Sequence, residues 1–143
     1  MTPAELARIH ATSFTTPRPW GEAELASFLS DPLCDLIEAE GGFALIRTIA
    51  GEAELLTLAV APEQRRRGLG RAILLQTIEA ARSRGADHMF LEVAADNLAA
   101  IRLYETTGFT RTGQRPNYYR KPDGNRINAV LMARPCGGEQ PLT

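Results

Sequence analysis

Residues 58 to 71, Leu-Ala-Val-Ala-Pro-Glu-Gln-Arg-Arg-Arg-Gly-Leu-Gly-Arg, carry a short apolar run into a glycine-spaced basic turn, and an amphipathic helical pattern follows at once. This arrangement suits an anion. Gly68 and Gly70 remove the Cβ atoms that would keep a ligand off the backbone. The new helix supplies N–H groups without partners and a positive dipole end, and Arg65, Arg66, Arg67 and Arg71 add charge. A diphosphate is the natural guest. Taken alone, a Gly-x-Gly also fits an ordinary strand-to-helix turn, and no Lys-Ser or Lys-Thr follows Gly70, which excludes the nucleotide-binding P-loop.

Two further sets of residues have types suited to chemistry. Glu92 interrupts the apolar run Met89-Phe90-Leu91-Glu92-Val93. It reads either as the polar face of a half-exposed strand or as a carboxylate with a task, and a central strand with a parallel neighbour is expected to be apolar on both faces. Asn97, Ala100 and Tyr104 share one helical face, where small Ala100 leaves room for a ligand beside the Tyr104 ring. A lone tyrosine on such a face is otherwise an ordinary core residue.

The elements that must position these groups follow from the periodicity. Pro3, after Thr2, opens a helix through about Phe14, and Thr15-Thr16-Pro17-Arg18-Pro19 breaks it. A second helix covers Glu22 to Leu29. Cys34 to Ala39, Gly42 to Ile49 and Glu54 to Val60 then read as three strands of an antiparallel meander. Pro62 closes the third, and Ile73, Leu74, Ile78 and Ala81 mark a helix ending at Gly85, a C′ glycine. Met89 to Val93 is the next strand, and Asp96-Asn97 caps a helix that runs to about Thr106 and stops at Gly108. Phe109 to Gly113 and Ile127 to Ala133 form a last pair of strands, joined by a long loop that holds Asn117-Tyr118-Tyr119 and the turn Pro122-Asp123-Gly124-Asn125. One domain over residues 1–135 is expected, with 136–143 as a loose tail.

Composition narrows the function classes. The 143 residues, 44% hydrophobic, fit one globular unit, and 16 basic against 17 acidic side chains give a net charge of −1 with no general pull toward nucleic acid. Cys34 and Cys136 show neither a disulfide framework nor a metal-ligand spacing, and no metal is expected. Neither an N-terminal apolar targeting segment nor a membrane-spanning run is present, so a cytoplasmic protein with no membrane partner is expected.

At this point the residues resemble a known family. Val60-x-Pro62, Arg65-x-x-Gly68-x-Gly70 and Asn97-x-x-Ala100-x-x-Leu103-Tyr104-x-x-x-Gly108-Phe109 look like the acetyl-CoA signature of GNAT N-acetyltransferases. Leu91-Glu92-Val93, Asn117-Tyr118-Tyr119, Asp123-Gly124 and Trp20 after Pro19 make the chain similar to the bacterial ribosomal-protein-alanine (RimI-type) members. The resemblance implies an α/β (α+β) GNAT fold: a mixed, mostly antiparallel twisted sheet with a central splayed parallel pair and flanking helices. Family members begin with a strand, which here is absent or shortened.

Transfer of an acetyl group from a thioester to an amine needs a held donor, an uncharged amine, a stabilised oxyanion and a proton for the leaving thiolate. The resemblance implies a holder for each. Acetyl-CoA would pair its pantetheine arm with the main chain of Leu58 and Val60, the Val60 N–H polarising the thioester carbonyl. Its diphosphate would rest on the backbone of Arg66, Arg67, Gly68, Leu69, Gly70 and Arg71, with the Arg65 and Arg71 side chains beside it. Asn97 and Ala100 would border the same slot. Glu92 becomes the general base and Tyr104 the general acid. Trp20, Tyr118 and Tyr119, each a packing residue when judged singly, become the border of an acceptor groove.

The resemblance therefore implies direct acetyl transfer to a protein N-terminus, that of an alanine-starting small-subunit ribosomal protein. Lysine side chains or a small-molecule amine are the competing acceptors. A non-catalytic acyl-CoA-binding module would need Gly68, Gly70 and Asn97 but neither Glu92 nor Tyr104. A nucleic-acid binder built on the arginine run lacks a wider basic surface. His10 and His88 have no partner spacing for a metal or a triad, and the oligomeric state is not legible.

Overall fold

The computed structural model describes residues 1–13, 19–64 and 68–137. Its elements are α1 (Pro3–Ser13), α2 (Glu22–Leu29), β1 (Cys34–Ala39), β2 (Gly42–Ile49), β3 (Glu52–Val60), a 3-10 turn (Pro62–Gln64), α3 (Leu69–Ser83), β4 (His88–Ala94), α4 (Leu98–Thr106), β5 (Thr110–Arg120) and β6 (Arg126–Pro135). Local chemistry sets several of these ends. Thr2 and Glu5 cap α1 reciprocally, the Glu5 N–H donating to Thr2 Oγ1 at 3.1 Å and the Thr2 N–H to Glu5 Oε1 at 3.3 Å. At the end of α3 the Ala86 N–H reaches back to Ala81 O at 3.0 Å over Gly85, whose φ is +86°.

The six strands lie in the order β1-β2-β3-β4-β6-β5. Every neighbouring pair is antiparallel except β3 and β4, which α3 links as a parallel crossover. Two cores follow from the two faces. On one, Ile73, Leu74 and Ile78 of α3 and Ile101 of α4 pack on Ala44, Ile46, Leu55, Met89, Leu91 and Met132. On the other, Leu6 of α1 and Leu25 of α2 cover Phe43, Leu45 and Ala59. The second face therefore has helices over β1 to β3, whereas a groove of about 520 Å³ runs along it beside Phe90, Glu92, Arg115 and Leu131.

Two expectations change here. Asn117, Tyr118 and Tyr119 lie in β5, which runs unbroken to Arg120, and only the turn at residues 121–125 joins it to β6. The segment looks like a loop in sequence because Pro116 and Asn117 are turn residues. The sheet absorbs them instead: register jumps from Arg115↔Ala129 to Tyr119↔Ile127, leaving two extra residues in β5, with Asn117 at φ +53° and its N–H donated to Asn128 Oδ1 at 2.9 Å. At the other end Pro135 still belongs to β6 and Cys136 is buried, its N–H on Asp87 O at 2.7 Å, so the packed body extends past residue 135. Residues 138–143 of the expected tail lie outside the described residues, as does Phe14 at the expected end of α1.

Candidate active site

Parallel pairing between β3 and β4 stops after Glu52↔His88, Ala53↔Met89 and Glu54↔Phe90. Beyond that point β3 stays with β2 as far as Val60, and β4 stays with β6 as far as Ala94, so the two strands diverge. A bulge accounts for the divergence. Ile46 pairs with Leu55 and Leu45 with Thr57, so Leu56 is an extra residue that bends β3 and increases its twist. It also reverses the side-chain alternation. Ala53 and Leu55, then Leu58 and Val60, pack with α3, while Thr57 and Ala59 turn toward α1 and α2.

A cavity of about 280 Å³ occupies this gap. Leu56, Thr57 and Leu58 line it from β3, Glu92 and Val93 from β4, and Asn97, Ala100 and Tyr104 from α4; Trp20, Tyr118 and Tyr119 also border it. The structure thus brings Leu58, Glu92, Asn97, Ala100, Tyr104, Trp20, Tyr118 and Tyr119 around one space. Asn97 already serves as the cap of α4, its Oδ1 accepting the Ala100 N–H at 3.2 Å. Tyr104 is buried with its ring edge-on to Phe109, 5.6 Å between centroids. Burial, with Tyr119 adding to it, pushes the Tyr104 phenol far above its ordinary value. Tyr119 is pushed up to about 12 by burial, then by the nearby Glu92 and Tyr118, with Arg115 opposing. Both phenols therefore keep their protons at neutral pH.

Glu92 arises differently from the sequence expectation. β4 has its parallel partner for only three residues, and one of its faces lies along the groove, so Phe90 and Glu92 alternate with buried Met89, Leu91 and Val93. Its polarity thus needs no apolar-both-faces argument. The carboxylate is half-buried and accepts from Arg115 Nε at 3.0 Å across β6.

The start of α3, where the sequence reading expects a diphosphate, follows the end of β3. Gly68 caps α3 at φ +75°, a left-handed conformation that glycine adopts without strain. Among the described residues Ala72 is the first of α3 to donate back, to Gly68 O at 3.0 Å, and the N–H groups of Leu69, Gly70 and Arg71 lie in the first turn, which has no acceptor inside the helix. Gly70 lies beside α4 and the end of β3: a Cβ there would meet Leu103 Cδ2 at 3.5 Å and Val60 Cγ2 at 3.7 Å, ordinary contact distances. β3 therefore connects the cavity, at Leu58, with the start of α3, beside Val60. Arg65, Arg66 and Arg67 lie outside the described residues.

Among the lining residues, Thr57 and Arg115 were not singled out in the sequence, and His10 was given no role there. His10 is buried, stacked on Trp20 at 4.9 Å between centroids. Its Nδ1 accepts the Trp20 backbone N–H at 3.0 Å, which puts the ring proton on Nε2, where it donates to Thr57 Oγ1 at 3.0 Å. Burial lowers the imidazole to about 4. The one available signal was Thr57 itself, a lone hydroxyl among the leucines and alanine of β3. Among the described residues no cluster of three potential metal ligands occurs, and no helix is long and apolar enough to cross a membrane.

Comparison with known proteins gives a consistent result. The model of the acetyltransferase (GNAT) family matches residues 5–109. The [Ribosomal protein bS18]-alanine N-acetyltransferase of Escherichia coli K12 is 40% identical over 121 residues, 82% of this chain and 81% of the relative. The crystal structure of the ribosomal-protein-S18-alanine N-acetyltransferase from Escherichia coli superposes with a TM-score of 0.83 at 34% identity, over 99% of this chain and 91% of that one. The structure of yncA from Salmonella typhimurium with its cofactor acetyl-CoA matches with a TM-score of 0.76 at 25% identity, over 96% of this chain and 90% of that one.

Proposed function

The chain belongs to the acetyltransferase (GNAT) family, and we propose that it moves the acetyl group of acetyl-CoA directly onto the N-terminal amine of an alanine-starting protein, a small-subunit ribosomal protein such as the bS18 of its relatives' names. Such an acceptor would place its work in the cytoplasm. The observation that carries the reading is the gap between β3 and β4, which has the phenol of Tyr104 on its α4 wall and the carboxylate of Glu92 on its β4 wall.

Acetyl-CoA supplies an acyl carbon already activated as a thioester. Everything else falls to the chain. The N–H groups of Leu69, Gly70 and Arg71 at the start of α3 hold the diphosphate, aided by the positive dipole end and by Arg65, Arg66, Arg67 and Arg71. The main chain of Leu58 and Val60 lines up the pantetheine arm, and the Val60 N–H donates to the oxygen on which negative charge develops. Asn97 and Ala100 form the opposite wall, small enough at Ala100 to admit the arm. Glu92 accepts a proton from the incoming ammonium, leaving a nucleophilic amine. As the carbon–nitrogen bond forms and the carbon–sulfur bond breaks, Tyr104 Oη gives its proton to the departing sulfur, and the second proton leaving the nitrogen returns through solvent to the phenolate, which restores the phenol. The phenol carries that proton at neutral pH. Trp20, Tyr118 and Tyr119 flank the acceptor's first residues.

The test is incubation with acetyl-CoA and a panel of free-terminus and N-terminally blocked, lysine-containing peptides, the modified nitrogen being located by mass spectrometry. Acetylation of the α-amine of alanine-starting peptides supports the reading. Acetylation restricted to lysine side chains transfers the assignment to another acceptor class.

A further inference from the structure

A cation already sits at the candidate base. Arg115 of β5 reaches across β6, where its register partner is the small Ala129, and sets Nε 3.0 Å from Glu92 Oε1. Its guanidinium carbon lies 5.4 Å from the centre of the Tyr118 ring. The Arg115 side chain is 54% exposed, and a pair this open adds little to stability. Nor does the proton path above use it. What the geometry specifies is a position: an acceptor ammonium approaching the Glu92 carboxylate meets the guanidinium there.

The geometry points to Arg115 as a specificity-determining residue, one that shares Glu92 with the acceptor ammonium and donates a second N–H to the carbonyl oxygen of the acceptor's first residue. This inference rests on the acceptor reading above. The guanidinium suits the task because its five donors are arranged in a rigid fork, so one can remain on Glu92 while another turns to a new oxygen. The Tyr118 face limits how far it can retreat. That ring is held in turn by the left-handed kink at Asn117, which Asn128 fixes.

The chemistry separates two kinds of amine. In a peptide N-terminus the first carbonyl oxygen lies about 3 Å from the nitrogen by covalent geometry alone. A lysine side chain offers only methylenes at that distance. Seating it would displace the guanidinium from part of its contact with Glu92 and give it no oxygen in return. Arg115 thus favours α-amines over ε-amines at a carboxylate that by itself would accept either.

The experiment compares kcat/KM for three acceptors: an alanine-starting peptide, the same peptide with its first carbonyl reduced to a methylene, and an N-terminally blocked peptide with one lysine. The proteins are the wild type, Arg115→Met and Arg115→Lys. Arg115→Met is expected to lose about 10- to 100-fold on the alanine peptide, mainly through KM, as for a lost hydrogen bond to a charged group. No loss, and a gain where displacing the guanidinium was the cost, is expected on the other two acceptors, and coenzyme A affinity should stay the same. Arg115→Lys should recover part of the loss and carries the comparison if Arg115→Met fails to bind coenzyme A. An equal loss on all three acceptors, or no loss on the alanine peptide, overturns the inference. Failure of the wild type to acetylate the alanine peptide would instead overturn the functional reading.

Discussion

His10 Nε2 lies 3.0 Å from Thr57 Oγ1, a contact between residues 47 apart in sequence that ties α1 to the residue immediately after the bulge in β3. The same ring accepts the backbone N–H of Trp20, so one buried imidazole joins the segment leading to α2, the first helix and the strand that opens the gap.

This contact makes acid stability depend on His10. Its folded value is about 4 against an ordinary value of 6.5, so the unfolded chain takes up the proton first as pH falls. The contribution is complete above about pH 6.5 and declines through the window down to about pH 4. Stability should be about 2 kcal/mol lower at pH 5 than at pH 7 from this group. Urea unfolding at the two pH values measures it, with His10→Asn as control: that variant keeps an acceptor for Trp20 but has no titrating ring. An equal pH dependence in wild type and variant would remove His10 as the source.

Glu92→Gln is expected to reduce turnover about 100-fold or more at pH 7, with coenzyme A affinity unchanged. The deficit should shrink above about pH 8, where a peptide amine is already neutral without help. A pH–rate profile of the variant parallel to that of wild type would exclude Glu92 as the base.

Tyr104→Phe retains the edge contact with Phe109 and removes only the hydroxyl. Its kcat should fall by about 100-fold, with little change in coenzyme affinity or thermal stability. Wild-type turnover in this variant would leave the leaving sulfur to be protonated from water.

Gly68→Ala meets no atom of the described residues within 4 Å, so the effect expected is that of the backbone at φ +75°. A stability loss of about 1–2 kcal/mol is expected, together with a raised KM for acetyl-CoA as α3 shifts its first turn. Gly68→Asn should recover part of the loss, because asparagine tolerates the left-handed region. Calorimetric melting and initial rates check both statements.

Much of this architecture was legible because the periodicities were clean. Leu58 to Arg71 announced the strand, the turn and the helix start, and Asn97 with Tyr104 announced the α4 face that lines the cavity. What escaped has physical reasons. The bulge at Leu56 lies in a run of leucines, where a one-residue slip exchanges one apolar side chain for another and leaves no trace in the pattern. Pro116 and Asn117 carried an honest turn signal, yet strand pairing on either side outweighed it. Glu92 stood out for the wrong reason: its face lies along a groove, and a polar residue there follows ordinary alternation. His10 and Arg115 find their partners only through tertiary contacts, which spacing along the chain does not encode.

The most direct measurement is a structure of the protein with coenzyme A bound. Pantetheine should run between β3 and β4 along Leu58 and Val60, with the diphosphate on the N–H groups of Leu69, Gly70 and Arg71 and the sulfur within hydrogen-bonding reach of Tyr104 Oη. Coenzyme A seated elsewhere, or a gap closed by pairing of residues 55–59 with β4, would contradict the account.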